Sequence, residues 1–386
     1  MHLTREEENA LKGEAGETIA SAYRILLAIG EANGADELVP IKWAHLSGVN
    51  YNTIGDAGVE FLENFSRDNV KARVRTTLNP MGFDRNDPKN LSRNFIEKQM
   101  RILTSYDKMG TIPSFSCIPY EIFDIPKRGS LVSFAESNAT VFSNSMLGLL
   151  TNKESSLSAL ASSIIGKVPL SDLVVEEFRR PKVTIKPDFN LITEVDFGLL
   201  GYFAGKIVHD SCVAFSNITN VLDYIKAKTL SASIGTSGSC GMFTMQETNE
   251  KEVITFGKGE ASTINDEINT SEDGNIITLG SPQLGINELN FLANLLKGKN
   301  FTKRCMIFCP RAIYNQAEKS GLTGKIERAG GEFICDSCTC LTPLITSEEV
   351  DSVITNSIKG AYYMNHSNKV GVAVKDLKTI VSEYTN

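Results

Sequence analysis

Positive charge is scarce in this sequence. Lys and Arg number 39 against 46 Asp and Glu, a formal net charge of −7 over 386 residues, and the basic residues are scattered. Phosphate binding along a nucleic acid needs a basic footprint, so nucleic acid is excluded as a partner. Long apolar runs are lacking too: nothing approaches the ~18 uninterrupted apolar residues of a membrane-spanning helix. The opening stretch MHLTREEENALKGEAGETIASAYRILLAIG is acidic where an export signal would be basic and apolar. Without an export signal, eight unevenly spaced cysteines read as thiols or metal ligands in a reducing compartment, not as a disulfide framework. A cytoplasmic location is the expectation.

What is present is enough chain for two or three cores, because a single core stops growing near ~250–300 residues. Thr4 and Glu7 have the spacing of a capping box, and Leu11, Ile19, Ala22, Leu26 and Ile29 follow near helical period. ELVPIKWAHLSGVNYNTIGDAGVEFLENF reads as a short strand, a Gly- and Asn-rich turn, then a helix. From about residue 194 strand-like segments such as RCMIFCP and GEFICDS alternate with helical ones such as LGINELNFLANLLKG and RAIYNQAEKSG. That alternation predicts βαβ units and parallel sheet. The polar stretch GKGEASTINDEINTSEDGN (257–275) is expected as an exposed, mobile loop.

Five cysteines crowd residues 305–340. Cys305-x3-Cys309 followed by Cys335-x2-Cys338 approaches a four-thiolate zinc spacing. If RCMIFCP is a strand, however, its two sulfurs lie roughly 13 Å apart at ~3.3 Å per residue. One tetrahedral ion with Zn–S bonds near ~2.3 Å cannot take both. Cys305, Cys309 and Cys335 therefore read as small buried hydrophobes. Cys338 differs, because it follows a strand in a polar turn beside Asp336, and the carboxyl end of a parallel strand is where α/β proteins place chemistry. A redox CxxC would open a helix, which CDSCTCLTPL does not. Cys117 lies in a second turn-rich loop, between Pro113 and Pro119.

The small-residue stretch GTSGSCGMF (235–243) reads as a turn between helix and strand that could cradle a phosphate or carboxylate on backbone N–H groups. Its spacing fits neither a dinucleotide fingerprint nor a Walker loop, and Ser239 breaks the GxSxG pattern. His45 in IKWAHLSG is either a hydrogen-bonded structural histidine or a site residue. Lys42 and Lys359 read equally as anion-binding groups or surface lysines.

Taken together, LTREEENALKGEAG, VPIKWAHLSGVNYNTIGDAG, LNPMGFD, CIPY, ESNATVFSNSMLG, TNKESSLSALASSIIGKVP, TSG, CDSC and TNSIKGAYY resemble, in order and over nearly the whole chain, the large subunit of the aconitase X family. The resemblance implies an α/β, aconitase-like fold of three α/β/α units around a central cleft. We place the units at 1–125 with 345–386, at 126–200 and at 201–344. It further implies a separate small subunit, a swivelling domain that closes the cleft, and a reaction that removes water from a small hydroxy acid, phosphorylated or not. An iron–sulfur centre would serve as Lewis acid, with Cys117 and Cys338 at the family's ligand positions and Cys240 the candidate third. His45, Lys42, Ser237 and Lys359 are the expected catalytic residues. Ser47, Gly48, Asn79, Asn144, Ser145, Thr236, Gly238, Asn356 and Ser357 are the expected substrate contacts.

The chain departs from the family pattern at several places. A cysteine near the C-terminus is replaced by Ile380, an arginine by Leu150, and a Pro-His pair by SPQLG with Gln283. SCGMFTMQETNE lacks the family's His and Gly. Three readings follow: a cluster-dependent hydro-lyase; a cofactor-free enzyme using the thiolate of Cys117, Cys240 or Cys338; and a non-catalytic subunit with a decayed site.

Overall fold

Strands buried on both faces dominate the fold, and their sequences say why. WAHL, IITL and CMIFC carry no exposed residue at all, the signature of parallel strands sandwiched between helices. The computed structural model describes residues 1–88, 91–246, 252–340 and 342–386.

In the first unit β1 (Leu38–Pro40), β2 (Trp43–Leu46), β3 (Arg75–Leu78), β4 (Ser133–Phe134) and β5 (Lys167–Pro169) form two small sheets. One is the antiparallel pair β1–β5, and the other is parallel in the order β3-β2-β4. Helices Glu17–Ala32, Tyr51–Phe65, Arg93–Lys108 and Ser156–Ile165 close over them around Leu26, Leu62, Ile102 and Ile164. The capping box of Thr4 and Glu7 forms as the sequence predicts.

The second unit is the parallel sheet β8-β7-β6-β9, built from β6 (Val183–Pro187), β7 (Val213–Phe215), β8 (Phe243–Thr244) and β9 (Val253–Phe256). The third is the parallel sheet β12-β11-β10-β13-β14, from β10 (Ile276–Leu279), β11 (Cys305–Cys309), β12 (Gly331–Cys335), β13 (Ser352–Thr355) and β14 (Gly371–Val374). These two units share one core in which Phe197 and Phe215 meet Phe308, Val353 and Ile358. A smaller cluster of Trp43, Cys117, Phe142, Ala227 and Cys338 draws on all three units, and it lies behind the cleft.

Three sequence-based expectations need correction. Residues 345–386 belong with the third unit, not the first, because β13 and β14 extend its sheet beside β10. The boundaries at 125, 200 and 344 likewise fall inside or between sheets differently: β4 and β5 complete the first unit, and β6 opens the second. The stretch 257–275 is largely helix, Lys258–Ile268. Only Ile264 and Ile268 are buried on it, too few apolar anchors to reveal a period, and the Glu260 carboxylate caps Gly257 N–H at 3.0 Å.

The third correction concerns 235–243. Helix Tyr224–Ser237 runs through Gly235, Thr236 and Ser237, whose hydroxyls donate back to the carbonyls of Ala232 and Ser233. Its small residues serve packing against helix Glu194–Val208: a Cβ on Gly238 would stand 2.2 Å from the Gly205 carbonyl oxygen. A helix C-terminus presents carbonyls, not N–H groups, so this segment is no anion cradle. The last residues of MQETNE lie outside the described residues.

Candidate functional site

A cavity of about 510 Å³ opens where the three units meet. The loop after β2 brings Ser47 and Gly48, the end of β3 brings Asn79, and the loop beyond it brings Cys117. Glu136 enters from the turn after β4, Lys153 and Ser156 from the start of helix Ser156–Ile165, Thr236 and Gly238 from the second unit. Cys338 and Cys340 follow β12, and Lys359 and Tyr363 lie on helix Ile358–Tyr363.

One hydrogen-bonded chain runs from the core to the cavity. Trp43 Nε1 donates to Thr77 Oγ1 at 2.8 Å, and Thr77 Oγ1 lies 2.8 Å from His45 Nδ1. His45 Nε2 lies 2.8 Å from Asn79 Oδ1, and Asn79 Nδ2 donates to Glu136 Oε2 at 2.8 Å. With the Asn79 amide so oriented, its oxygen can only accept, so Nε2 of His45 carries the proton and Nδ1 accepts from Thr77. Burial pushes His45 down to about 4, which keeps the ring neutral. His45 does not reach the cavity: its role is to fix Asn79.

At the cavity end, Glu136 pairs with the Lys359 ammonium. Burial, the largest single effect, raises the Glu136 carboxyl, but the Lys359 charge together with hydrogen bonds from Lys359 and Asn79 outweighs it and the net displacement is downward. Lys359 is displaced upward against its own burial by Glu136. Both are therefore ionised. Lys153 donates to the Gly235 and Gly238 carbonyls at 3.2 and 2.6 Å, a cation at a helix C-terminus, and burial lowers its pKa. Ser47 and Ser156 hydroxyls meet at 2.9 Å.

Cys338 neighbours two other thiols, Cys117 and Cys340, and its Sγ donates to the Gly280 carbonyl at 3.5 Å. Donation from Cys117, then from Cys340, pulls the Cys338 thiol well below the ordinary range against the opposing effect of burial. Burial, and Cys338 itself, push Cys117 up.

Of the residues singled out in the sequence, the cavity collects Ser47, Gly48, Asn79, Cys117, Thr236, Gly238, Cys338 and Lys359. It does not collect the others. Lys42 is exposed between β1 and β2. Asn144 spends its amide on the Thr151 and Gly241 carbonyls, and Ser145 accepts from Phe243 N–H. Ser237 bonds back into its own helix. Asn356 donates to Glu194, and Ser357 caps the helix that carries Lys359. Cys240 donates to the Met242 carbonyl at 3.2 Å, and burial pushes it up to about 11. Cys305, Cys309 and Cys335 are fully buried in the third sheet, as small hydrophobes are.

The sequence reading missed Glu136, Lys153, Ser156, Cys340 and Tyr363. Cys340 alone carried a local signal, as a further thiol two residues past Cys338.

Three α/β units closing on one polar cleft, with thiols and a buried ion pair in its walls, define an α/β enzyme whose chemistry sits between its units. Comparison with known proteins then gives the family. Models of the aconitase X first, second and third domains match residues 1–177, 181–280 and 274–386. The phosphomevalonate dehydratase large subunit of Methanocaldococcus jannaschii is 35% identical, over 99% of each chain. A cis-3-hydroxy-L-proline dehydratase of Hypocrea jecorina is 30% identical over 94% of this chain and 65% of its own length. The solved structure of Thermococcus kodakaraensis aconitase X, in its holo-form, superposes with a TM-score of 0.91 at 34% identity, covering all of both chains. This chain belongs to the aconitase X family. Its relatives are dehydratases along its entire length, and it is an enzyme of that hydro-lyase class. No helix among the described residues is long and apolar enough to cross a membrane.

The family implies an iron–sulfur centre, and the donor chemistry fits. Three thiols line one cavity, and thiolates are the ligands such centres take. Among the described residues no group of three or more His, Cys, Asp or Glu side chains is arranged to hold a metal ion as it stands.

Proposed function

We propose that this chain is the catalytic large subunit of a dehydratase that removes water from a small hydroxy acid, phosphorylated or not, with an iron–sulfur centre held by Cys117 and Cys338. A separate small subunit, a swivelling domain, closes the cleft. The observation that carries this reading is the meeting of those two sulfurs with the Glu136–Lys359 ion pair in one cavity. The names of the relatives support the substrate class, and the words "large subunit" in them support the partner.

The centre, when bound, supplies a Lewis acid for the departing hydroxyl. The chain's own residues do the rest. The Lys359 ammonium, fixed by Glu136 and Ser137, and Lys153 offer positive charge to the substrate's anionic groups. Ser47, Ser156, Gly48, Thr236 and Gly238 also line the cavity and fix its position. The Glu136 carboxylate takes the proton from the carbon beside the substrate carboxylate. The freed electron pair forms the double bond as the carbon–oxygen bond breaks, and the hydroxyl takes up a solvent proton to leave as water. Asn79, oriented by His45, holds Glu136 Oε2 in place for this transfer.

The test offers phosphomevalonate and cis-3-hydroxy-L-proline to the anaerobically purified complex with its small subunit, and follows the unsaturated product. E136Q should lower turnover roughly 100- to 10,000-fold, the usual worth of a general base, with bound iron unchanged. Full activity in an iron-free preparation would overturn the cluster part of this reading.

A second reading, a cofactor-free enzyme using the Cys338 thiolate as base or nucleophile, is favoured by the two thiols that donate to that sulfur. It requires full activity without iron and none in C338S.

A further inference from the structure

The turn that follows β10 touches every sulfur in the cavity. Gln283 N–H donates to Cys117 Sγ at 3.1 Å. The Gly280 carbonyl lies 3.5 Å from Cys338 Sγ. Ser281 Oγ lies 2.9 Å from Cys340 Sγ. One four-residue segment thus holds three thiols from two distant loops in the same cavity. Lys359 lines the same cavity.

Neither alternative third thiol belongs to this set. Cys240 does not line the cavity, and its sulfur is spent on the Met242 carbonyl within its own turn. Ile380, where the sequence comparison looked for a missing ligand, lies in the core of the third unit among Leu279, Leu292 and Leu377. The absence of a cysteine at 380 therefore removes nothing from the cleft.

We propose that Cys340 is the third thiolate of the metal centre, completing with Cys117 and Cys338 a three-sulfur donor set gathered by residues 280–283. This rests on the reading above that the site holds an iron–sulfur centre. On loading, each S–H gives its proton to solvent as a sulfur–iron bond forms and a water or other exchangeable ligand leaves the iron.

The experiment reconstitutes the full chain anaerobically with ferrous iron and sulfide, then measures iron and sulfide per chain and the electron paramagnetic resonance line shape. C340S should lose at least half of the bound iron or change the line shape, whereas C240S should match wild type. C340S with wild-type iron, sulfide and line shape overturns the inference and leaves the cluster reading standing. A wild-type chain that takes up no iron overturns both. Cadmium titrated into the apo chain provides a second measurement independent of cluster assembly: thiolate–cadmium absorbance should fall by about one third in C340S relative to wild type, as one of three sulfurs is removed. Equal absorbance overturns the assignment. Circular dichroism and the unfolding midpoint of C340S, compared with C240S, separate ligand loss from misfolding.

Discussion

Gln283 and Cys117, 166 residues apart in sequence, grip one another twice: Gln283 N–H donates to Cys117 Sγ and Cys117 N–H donates to Gln283 Oε1, each at 3.1 Å. The Gln283 amide also donates to the carbonyls of Phe115 and Ser337, at 3.2 and 2.7 Å. One fully buried side chain therefore ties the Cys117 loop of the first unit to the Cys338 loop of the third. Q283A should lower stability by roughly 2–4 kcal/mol, because buried backbone groups lose partners and a cavity opens. Urea unfolding of the apo chain measures this, and a loss under about 1 kcal/mol would mean that the loops do not depend on the contact.

His45 supplies a pH prediction whose sign follows from its burial. Its folded-state pKa, about 4, lies below the ~6.5 of an exposed imidazole. Between those values the unfolded chain binds the proton and the folded chain does not, so stability is full above pH ~6.5 and falls as the pH drops toward 4. This one group should remove about 3 kcal/mol over that window, at ~1.36 kcal/mol per pH unit. H45Q should flatten the dependence of unfolding free energy on pH there. An unchanged slope would place the titrating group elsewhere.

Lys228, almost wholly buried, pairs with Glu121 from the first unit and Glu288 from the third. It also donates to the Gln283 carbonyl at 2.8 Å. K228M should destabilise the chain by roughly 3–5 kcal/mol, since it strands two carboxylates without their cation. Adding E121Q and E288Q should restore part of the loss, because neutral amides tolerate burial better than unpaired charges. Denaturant unfolding of the single and triple variants decides the matter; a triple variant no better than K228M would count against this account.

The three neighbouring thiols predict an order of reactivity. In the apo chain, alkylation at Cys338 should show a pH midpoint below the ~8.5 of a free thiol. C117A removes the principal donor to Cys338, so the midpoint should rise. Mass spectrometry of iodoacetamide-treated protein at graded pH reads both values, and a midpoint indifferent to C117A would refute the donor assignment.

Much of the fold could be read from local pattern. Apolar runs such as CMIFC separated by amphipathic helices predict parallel strands, and the spacing in that strand already argued against a zinc site at Cys305 and Cys309. Local pattern failed where a helix buries few apolar side chains, as at Lys258–Ile268. It failed in part at 235–243, where Gly235, Thr236 and Ser237 continue a helix and only the residues from Gly238 on form the turn. Asn144, Ser145, Asn356 and Ser357 were expected at the site from the family resemblance, but their partners here lie elsewhere: backbone groups for Asn144 and Ser145, the Glu194 carboxylate for Asn356, and a helix N-terminus for Ser357.

By itself, then, the sequence determined the parallel α/β architecture, the family, and the two loops that carry Cys117 and Cys338, because strand and helix periods are written in neighbouring residues. Only the tertiary structure decided that Glu136 faces Lys359 across 223 residues, that Cys340 and not Cys240 joins the other sulfurs, and that His45 is a neutral prop behind Asn79. Those outcomes depend on how three separately formed units close on one another, and on the burial that closure imposes on each ionisable group. No period within a single segment encodes either.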